Sequence, residues 1–407
     1  MKKLTVLTAG LLLGALALPA QEQVLKDAER ALKGGQTPAQ VIEIITPAFS
    51  DPATANNAQT YVIPGKALFK DYDELYALKQ FNKLPENGDA TMVNDLLEGY
   101  NYFVKALPLD TVTDAKGKVK TKYSKEIVST VAGHFTDFNG AALAAWDLKD
   151  YNKAYDAWEI FLTLPSNPVF GPKVNNVPAD TVMAEVRFNQ ALAAWQADEL
   201  QKSLDSFMKA KAAGYNKKQL YDYAIAVATG LKNDDAVYAL ASEAEPIYGK
   251  EDPNYLGFII NHYLQKQDFD KAFTTIDQAI AANPDNAQYY VVKGILYDNQ
   301  KNPAEAKAMF EKAIAIDANN SMALYNYGRA LCEEAYALSD SAPTSPAESE
   351  KFFNEKIVPL FKQAADYLEK AWNIDNNNTD ALRYLENVYY NLHDENMVQD
   401  VKGRLAM

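Results

Sequence analysis

A single cysteine, Cys332, stands in a chain of 407 residues. One thiol cannot form an intramolecular disulfide, so packing alone must hold the fold together. Histidine is almost as scarce. His134, His262 and His393 lie far apart, and none has a histidine or cysteine partner at metal-ligand spacing. Metalloprotease HExxH, nucleophile-elbow GxSxG and glycine-rich phosphate-loop patterns are missing as well. These absences argue against a metal, a cofactor and enzymatic activity. Basic charge is in deficit, with 40 Lys and Arg against 54 Asp and Glu and a net charge of −14. An acidic surface disfavours nucleic acid and anionic lipid as partners and favours a basic or neutral one. The local exception, Lys116, Lys118, Lys120, Lys122 and Lys125, reads as a solvated loop.

Long apolar runs are lacking too. The one stretch that stands out, Leu4 to Leu18, has 15 residues and follows Lys2 and Lys3. It is too short for an ordinary membrane span. With the small residues of Pro19-Ala20 behind it, it reads as a secretory leader over residues 1–20, cut between Ala20 and Gln21. No cysteine follows the run, so lipidation is not expected. Loss of Lys2 and Lys3 leaves 38 basic against 54 acidic residues, a mature charge of −16. The expected product is an exported protein, periplasmic or secreted, of a Gram-negative bacterium, with no membrane insertion.

What the chain does have is a period. Tyr263, Ala272, Ile276, Ala279 and Pro284 recur 34 positions later as Tyr297, Ala306, Phe310, Ala313 and Ala318. A fixed period of this length marks a stacked-repeat architecture. The clearest unit runs from Ala287 to Asn320 and carries Tyr290, Gly294, Tyr297, Ala306, Phe310 and Ala313. Glycine inside a helix costs roughly 1 kcal/mol against alanine, so Gly294 implies a close packing contact. A leucine there would overpack it, at a cost of about 1–3 kcal/mol. The motif starts early: Asn57 to Gly65 matches Asn286 to Gly294 at six of nine positions. Second helices with the same spacing follow at Gly99-Phe103-Ala106, Ala154-Trp158-Phe161, Ser203-Phe207-Ala210 and Ala364-Leu368-Ala371.

This residue pattern resembles the tetratricopeptide repeat (TPR) family. Ala318 departs from it, standing where the family has proline, and Ile260 replaces the first small residue of the preceding unit. The resemblance implies an all-α, right-handed superhelical TPR solenoid of about eight antiparallel helix pairs plus a C-terminal cap. The expected organisation is a leader at 1–20, divergent repeats with inserts at 21–180, and a more regular array at 181–407 with capping helices from residue 379.

In TPR proteins the first helix of each pair lines a concave groove. Carried onto this chain, that rule nominates Asn254, Gly257 and Asn261, then Gln288, Val291 and Ile295, then Tyr325, Arg329 and Cys332, then Arg383 and Asn387. Cys332 also fits a buried structural thiol. Arg383 and Asn387 lie one helical turn apart and could together meet a carboxylate. The carboxylate clamp of some cytosolic TPRs is not reproduced, since Gly257 stands where a lysine is needed. Tyr72, Tyr76, Tyr100 and Tyr102 form a second candidate contact surface. The function implied is a non-enzymatic protein-binding scaffold or adaptor of the cell envelope that takes a peptide or helix. The alternatives are a glycan-binding protein of a nutrient-uptake system, disfavoured by only 4 Trp and the missing lipidation cysteine, and an envelope enzyme with its site in the inserts.

Three stretches, 108–123, 164–180 and 339–350, break the period with Pro, Gly, Ser or Thr and read as inserts. Pro359 should kink a helix. Each insert carries a similar tripeptide: Asp110-Thr111-Val112, Asp180-Thr181-Val182 and Asp340-Ser341-Ala342. These resemble the acceptor motif of a periplasmic O-glycosylation system, which makes Thr111, Thr181 and Ser341 candidate acceptors. The other reading is that Asp with Ser or Thr suits turns and helix caps.

Overall fold

The computed structural model of the protein describes residues 18–113, 117 and 119–406. The leader segment through residue 17, and Lys116 and Lys118 of the lysine run, lie outside the described residues. The chain divides into two compact units, one ending at Lys232 and the other starting at Asn233. The first holds α1 (Leu18–Lys33), α2 (Pro38–Ile45), α3 (Ala58–Gln80), α4 (Gly88–Ala106), α5 (Ser124–Gly133), α6 (Phe135–Asp147), α7 (Tyr151–Thr163), α8 (Asp180–Gln196), α9 (Leu200–Ala212) and α10 (Lys218–Gly230). The second holds α11 (Asp234–Tyr248), α12 (Asn254–Gln265), α13 (Phe269–Ala282), α14 (Ala287–Asn299), α15 (Pro303–Ile316), α16 (Ser321–Asp340), α17 (Pro346–Phe352), α18 (Val358–Ile374), α19 (Thr379–Asn391) and α20 (Glu395–Leu405). The regular register assigned from residue 181 thus begins inside the first unit.

The helices pack as sequential pairs: α3 with α4, α6 with α7 and α8 with α9 in the first unit, then α12 with α13, α14 with α15, α16 with α18 and α19 with α20 in the second. Three of these pairs, α3–α4, α14–α15 and α16–α18, share one close approach. A Cβ built on Gly294 would lie 2.4 Å from the Phe310 ring. On Gly65 it would lie 2.5 Å from the Phe103 ring, and on Gly328 2.8 Å from Leu368 Cγ. Only a glycine admits those side chains, which are themselves almost fully buried. Burial of each stabilises the fold by roughly 1.5–3 kcal/mol. Alanines at 272, 306, 313, 364 and 371 complete the contact and are fully buried, while Tyr263, Ala279, Tyr290 and Tyr297 are half-buried beside it. The likeness between Asn57–Gly65 and Asn286–Gly294 extends to the caps. Asn57 accepts from Gln59 N at 2.9 Å, and Asn286 accepts from Gln288 N at 3.0 Å.

The turns within pairs are equally regular. Lys149, Asp198, Gln267, Lys301 and His393 all adopt left-handed φ near +60°. At Lys301, the residue's own N–H donates to Asp298 O (2.8 Å) and the next N–H, of Asn302, donates to Tyr297 O (2.9 Å). This is a Schellman closure, which satisfies carbonyls that the helix end leaves open. Lys149–Asp150, Asp198–Glu199, Gln267–Asp268 and His393–Asp394 repeat the two bonds. Asp150, Asp268 and Asp394 then cap the next helix, each accepting from the N–H three residues on.

The inserts keep more order than their composition suggests. The first forms a two-stranded antiparallel ribbon, β1 (Val112–Thr113) with β2 (Val119–Lys120). Its base is held by buried Asp110, which accepts from the backbone N–H groups of Lys122, Tyr123 and Ser124 and from the Ser124 hydroxyl. The second is two short 3₁₀ turns. The third is largely helical, and Pro359 sits in the first turn of α18, directly after a π-helical turn at Phe353–Ile357. Proline is tolerated there because first-turn N–H groups lack helical partners. Thr111 and Ser341 are exposed in loop or cap positions, whereas Thr181 lies in the first turn of α8 rather than in a loop.

The final helix is fixed by charge. Arg404 donates from both terminal nitrogens to the two Glu369 oxygens at 2.8 Å, and the Tyr389 hydroxyl donates to the same carboxylate at 3.1 Å. The Arg404 contact outweighs burial and holds the Glu369 carboxyl below its ordinary value. A depressed carboxyl contributes stability above its unfolded pKa, near 4.3, and loses it as pH falls through the folded value. Arg404→Ala should therefore lower the unfolding free energy by about 1–3 kcal/mol at pH 7. The deficit should shrink below about pH 4, where the wild type loses the same interaction. Denaturant unfolding at pH 7 and pH 3.5 checks this; an equal deficit at both would contradict it.

Candidate functional site

The nominated groove residues of the second unit sit on α12, α14, α16 and α19, and α16 touches α14 on one side and α19 on the other. Asn254, Asn261, Arg383 and Asn387 are exposed, and Gln288, Ile295, Tyr325 and Arg329 are half-buried. Val291 and Cys332 are instead fully buried core residues. They fall on the face that meets the partner helix, so they line no groove. Burial pushes the Cys332 thiol up to about 12, which leaves an inert structural thiol.

The side chains that do meet across helices form one strip. Gln288 Nε2 reaches Met322 Sδ at 3.6 Å, and the Tyr325 ring stands edge-on to Tyr384 at 6.1 Å between centroids. Met322 is largely exposed beside them. Met322 and Tyr384 were not nominated from sequence, although they share the α14–α16–α19 face with residues that were. Burial raises both phenols above their ordinary values, so the strip presents neutral hydroxyls and apolar ring faces.

Arg329 is not a free cation. Its guanidinium pairs with Asp298 of α14 and with Glu333 at 2.6 Å, and also contacts Asn326 Oδ1. Burial opposes its charge, but Asp298 and Glu333 more than offset this and keep its pKa raised. The three groups carry a net charge of −1, so this part of the strip is acidic. Glu333 was legible as an i,i+4 partner. Asp298 was not, since it depends on how two repeats stack. Arg383 pairs with exposed Asp380 at 3.0 Å, one turn before it, rather than working with Asn387. The four tyrosines of the first unit also separate. Tyr72 stacks with Tyr76, Tyr100 packs on Phe138 and Phe170, and Tyr102 packs on Phe49. Residues two apart on a helix do not share a face, which splits Tyr100 from Tyr102.

Among the described residues no cluster of three or more His, Cys, Asp or Glu is placed to hold a metal, and no helix is long and apolar enough to cross a membrane. The family model for the tetratricopeptide repeat matches residues 287–320, the α14–α15 pair with its Gly294–Phe310 contact. Residues 287–320 are thus a tetratricopeptide repeat. One curated relative of the chain is the type IV pilus assembly protein PilF of Pseudomonas aeruginosa. It is 28% identical over 140 residues, covering 31% of this chain and 56% of PilF. The chain thus spans about half the length of that relative. Solved TPR structures overlay in part. One from Parabacteroides merdae gives a TM-score of 0.36 at 13% identity, covering 68% of this chain and 100% of its own. YrrB, described as a TPR protein with an unusual peptide-binding site, gives 0.34 at 16% identity, covering 50% and 97%.

The ion pairs separate structural from surface arginines in this chain. Arg329→Ala leaves Asp298 unpaired and only 18% exposed, and should lower stability by about 1–3 kcal/mol. Arg383→Ala removes a pair that is mostly exposed and should stay within about 0.5 kcal/mol. Denaturant unfolding of the two variants checks this, and equal effects would contradict the assignment.

Proposed function

We propose that this chain is a non-enzymatic protein-binding scaffold or adaptor of the bacterial cell envelope. Its second unit takes an extended peptide or helix along the α14–α16–α19 strip. The observation that carries the reading is the continuity of Gln288, Met322, Tyr325 and Tyr384 across neighbouring repeats. Aromatic rings and a flexible thioether give adaptable apolar contact at low entropic cost, as protein interfaces use them. With Arg329 neutralised and the chain at net −14, the partner segment should be basic or neutral and apolar. Recognition is by shape and a few polar contacts, without turnover. The leader-like N-terminus supports an exported location in a Gram-negative cell. The partial likeness to PilF, named for pilus assembly, fits an envelope partner. Arg383 and Asn387 lie at the rim, and Asn254, Asn261 and Ile295 extend the strip toward α12.

The test is crosslinking capture from the native envelope with tagged mature protein, beside a Met322→Ala, Tyr325→Ala, Asn387→Ala variant that leaves Arg329 intact. One reproducible protein partner, reduced at least about tenfold in the variant, is the expected result, since loss of such contacts costs more than about 1.4 kcal/mol. Undiminished capture by the variant would place the interface elsewhere. Retention on polysaccharide with no protein partner would overturn the reading.

A further inference from the structure

The first unit holds a cavity of about 320 Å³ between α3 and α6, closed at one end by α4. Its lining includes Tyr72 and Tyr76 from α3, Met92 from α4, and Thr136, Asp137 and Gly140 from α6. The two tyrosines are one helical turn apart and stack, with centroids 6.1 Å apart and planes inclined by 19°. Tyr72 is buried at the back, and Tyr76 is 43% exposed at the mouth.

The charges around this cavity are matched except for one. Lys79 on the rim pairs with Asp89 at 2.6 Å. Asp73 meets His134 Nε2 at 3.0 Å, while His134 Nδ1 faces Thr130 O at 2.8 Å. Asp137 is half-buried and has no side-chain hydrogen bond or ion pair among the described residues. Burial raises its pKa, and Asp73 adds to this against the opposing pull of His134. Asp137 and Tyr72 both line the cavity, and the Asp137 charge adds to burial in raising the Tyr72 phenol. An under-solvated carboxylate gains from a cation that reaches it.

We infer that this cavity is a binding site for an alkylammonium group, with Asp137 as counter-ion, the tyrosine faces as cation-π walls and Met92 against the methylenes. A hard metal ion is excluded by its need for about six oxygen ligands, where a single carboxylate is free. A compact ammonium on a slender stem suits one carboxylate better than the planar fork of a guanidinium. The site lies apart from the α14–α16–α19 strip, and its test does not depend on that reading. A lysine side chain of a polypeptide and a free aliphatic diamine carry the same group.

The experiment is calorimetric titration of the mature protein with 1,5-diaminopentane, with N-acetyl-lysine methylamide and with its ε-acetylated, uncharged counterpart. Both amines should bind saturably and the acetylated compound should not. The tighter of the two amines identifies the source as a free amine or a partner lysine. Asp137→Asn, which keeps the shape, should weaken binding at least about tenfold, as loss of a charge-assisted contact does. Tyr76→Leu, at a solvent-exposed position, should weaken it about threefold and gives a second test if Asp137→Asn proves unstable. No saturable binding of either amine at millimolar concentration would overturn the proposal. So would equal binding by the wild type and both variants, or equal binding of the acetylated compound.

Discussion

Three of the helix pairs depend on one contact: a glycine of the first helix against a large side chain of the second. Gly65 with Phe103, Gly294 with Phe310 and Gly328 with Leu368 bring helix axes close enough for the ring or branched chain to fill the space between them. None of these helices could bury its apolar face alone. Paired in this way, each buries a side chain whose removal would cost several kcal/mol. The pair then presents its outer faces to the next, and a core grows by repetition without a disulfide or metal.

Repetition also settles the turns. A non-glycine residue in the left-handed region costs roughly 1–2 kcal/mol. The chain accepts that cost repeatedly, at Lys149, Asp198, Gln267, Lys301 and His393, because two carbonyl bonds recur with it in all five turns and an aspartate cap in three of them. The turns therefore carry no glycine, and composition alone did not mark them. The same residues explain why the loops between paired helices are so short.

The period and the small positions were legible because each follows from local sequence. Gly294 announced its contact as a glycine inside a helical run. What was not legible depends on the angle between neighbouring repeats. Val291 and Cys332 were assigned to a groove by position, but both are fully buried in the core between packed helices. Arg329 was nominated as a groove residue, and its partner Asp298 comes from the preceding repeat. The unmatched Asp137 carries no sequence signal at all. It stands out only once every neighbouring charge has its partner. Both candidate binding surfaces thus arise between repeats, where one-dimensional periodicity is silent.

The most direct test of the account is a double-mutant cycle on the repeat contact. Gly294→Leu and Phe310→Ala would each be destabilising alone, the first by overpacking and the second by a cavity. If the glycine exists to admit the ring, the leucine should fill part of the space that the ring leaves. The double variant should then be at least about 1 kcal/mol more stable than the two single effects added together. Additive losses in denaturant unfolding would mean that the two residues do not share one contact, and the central claim would fail.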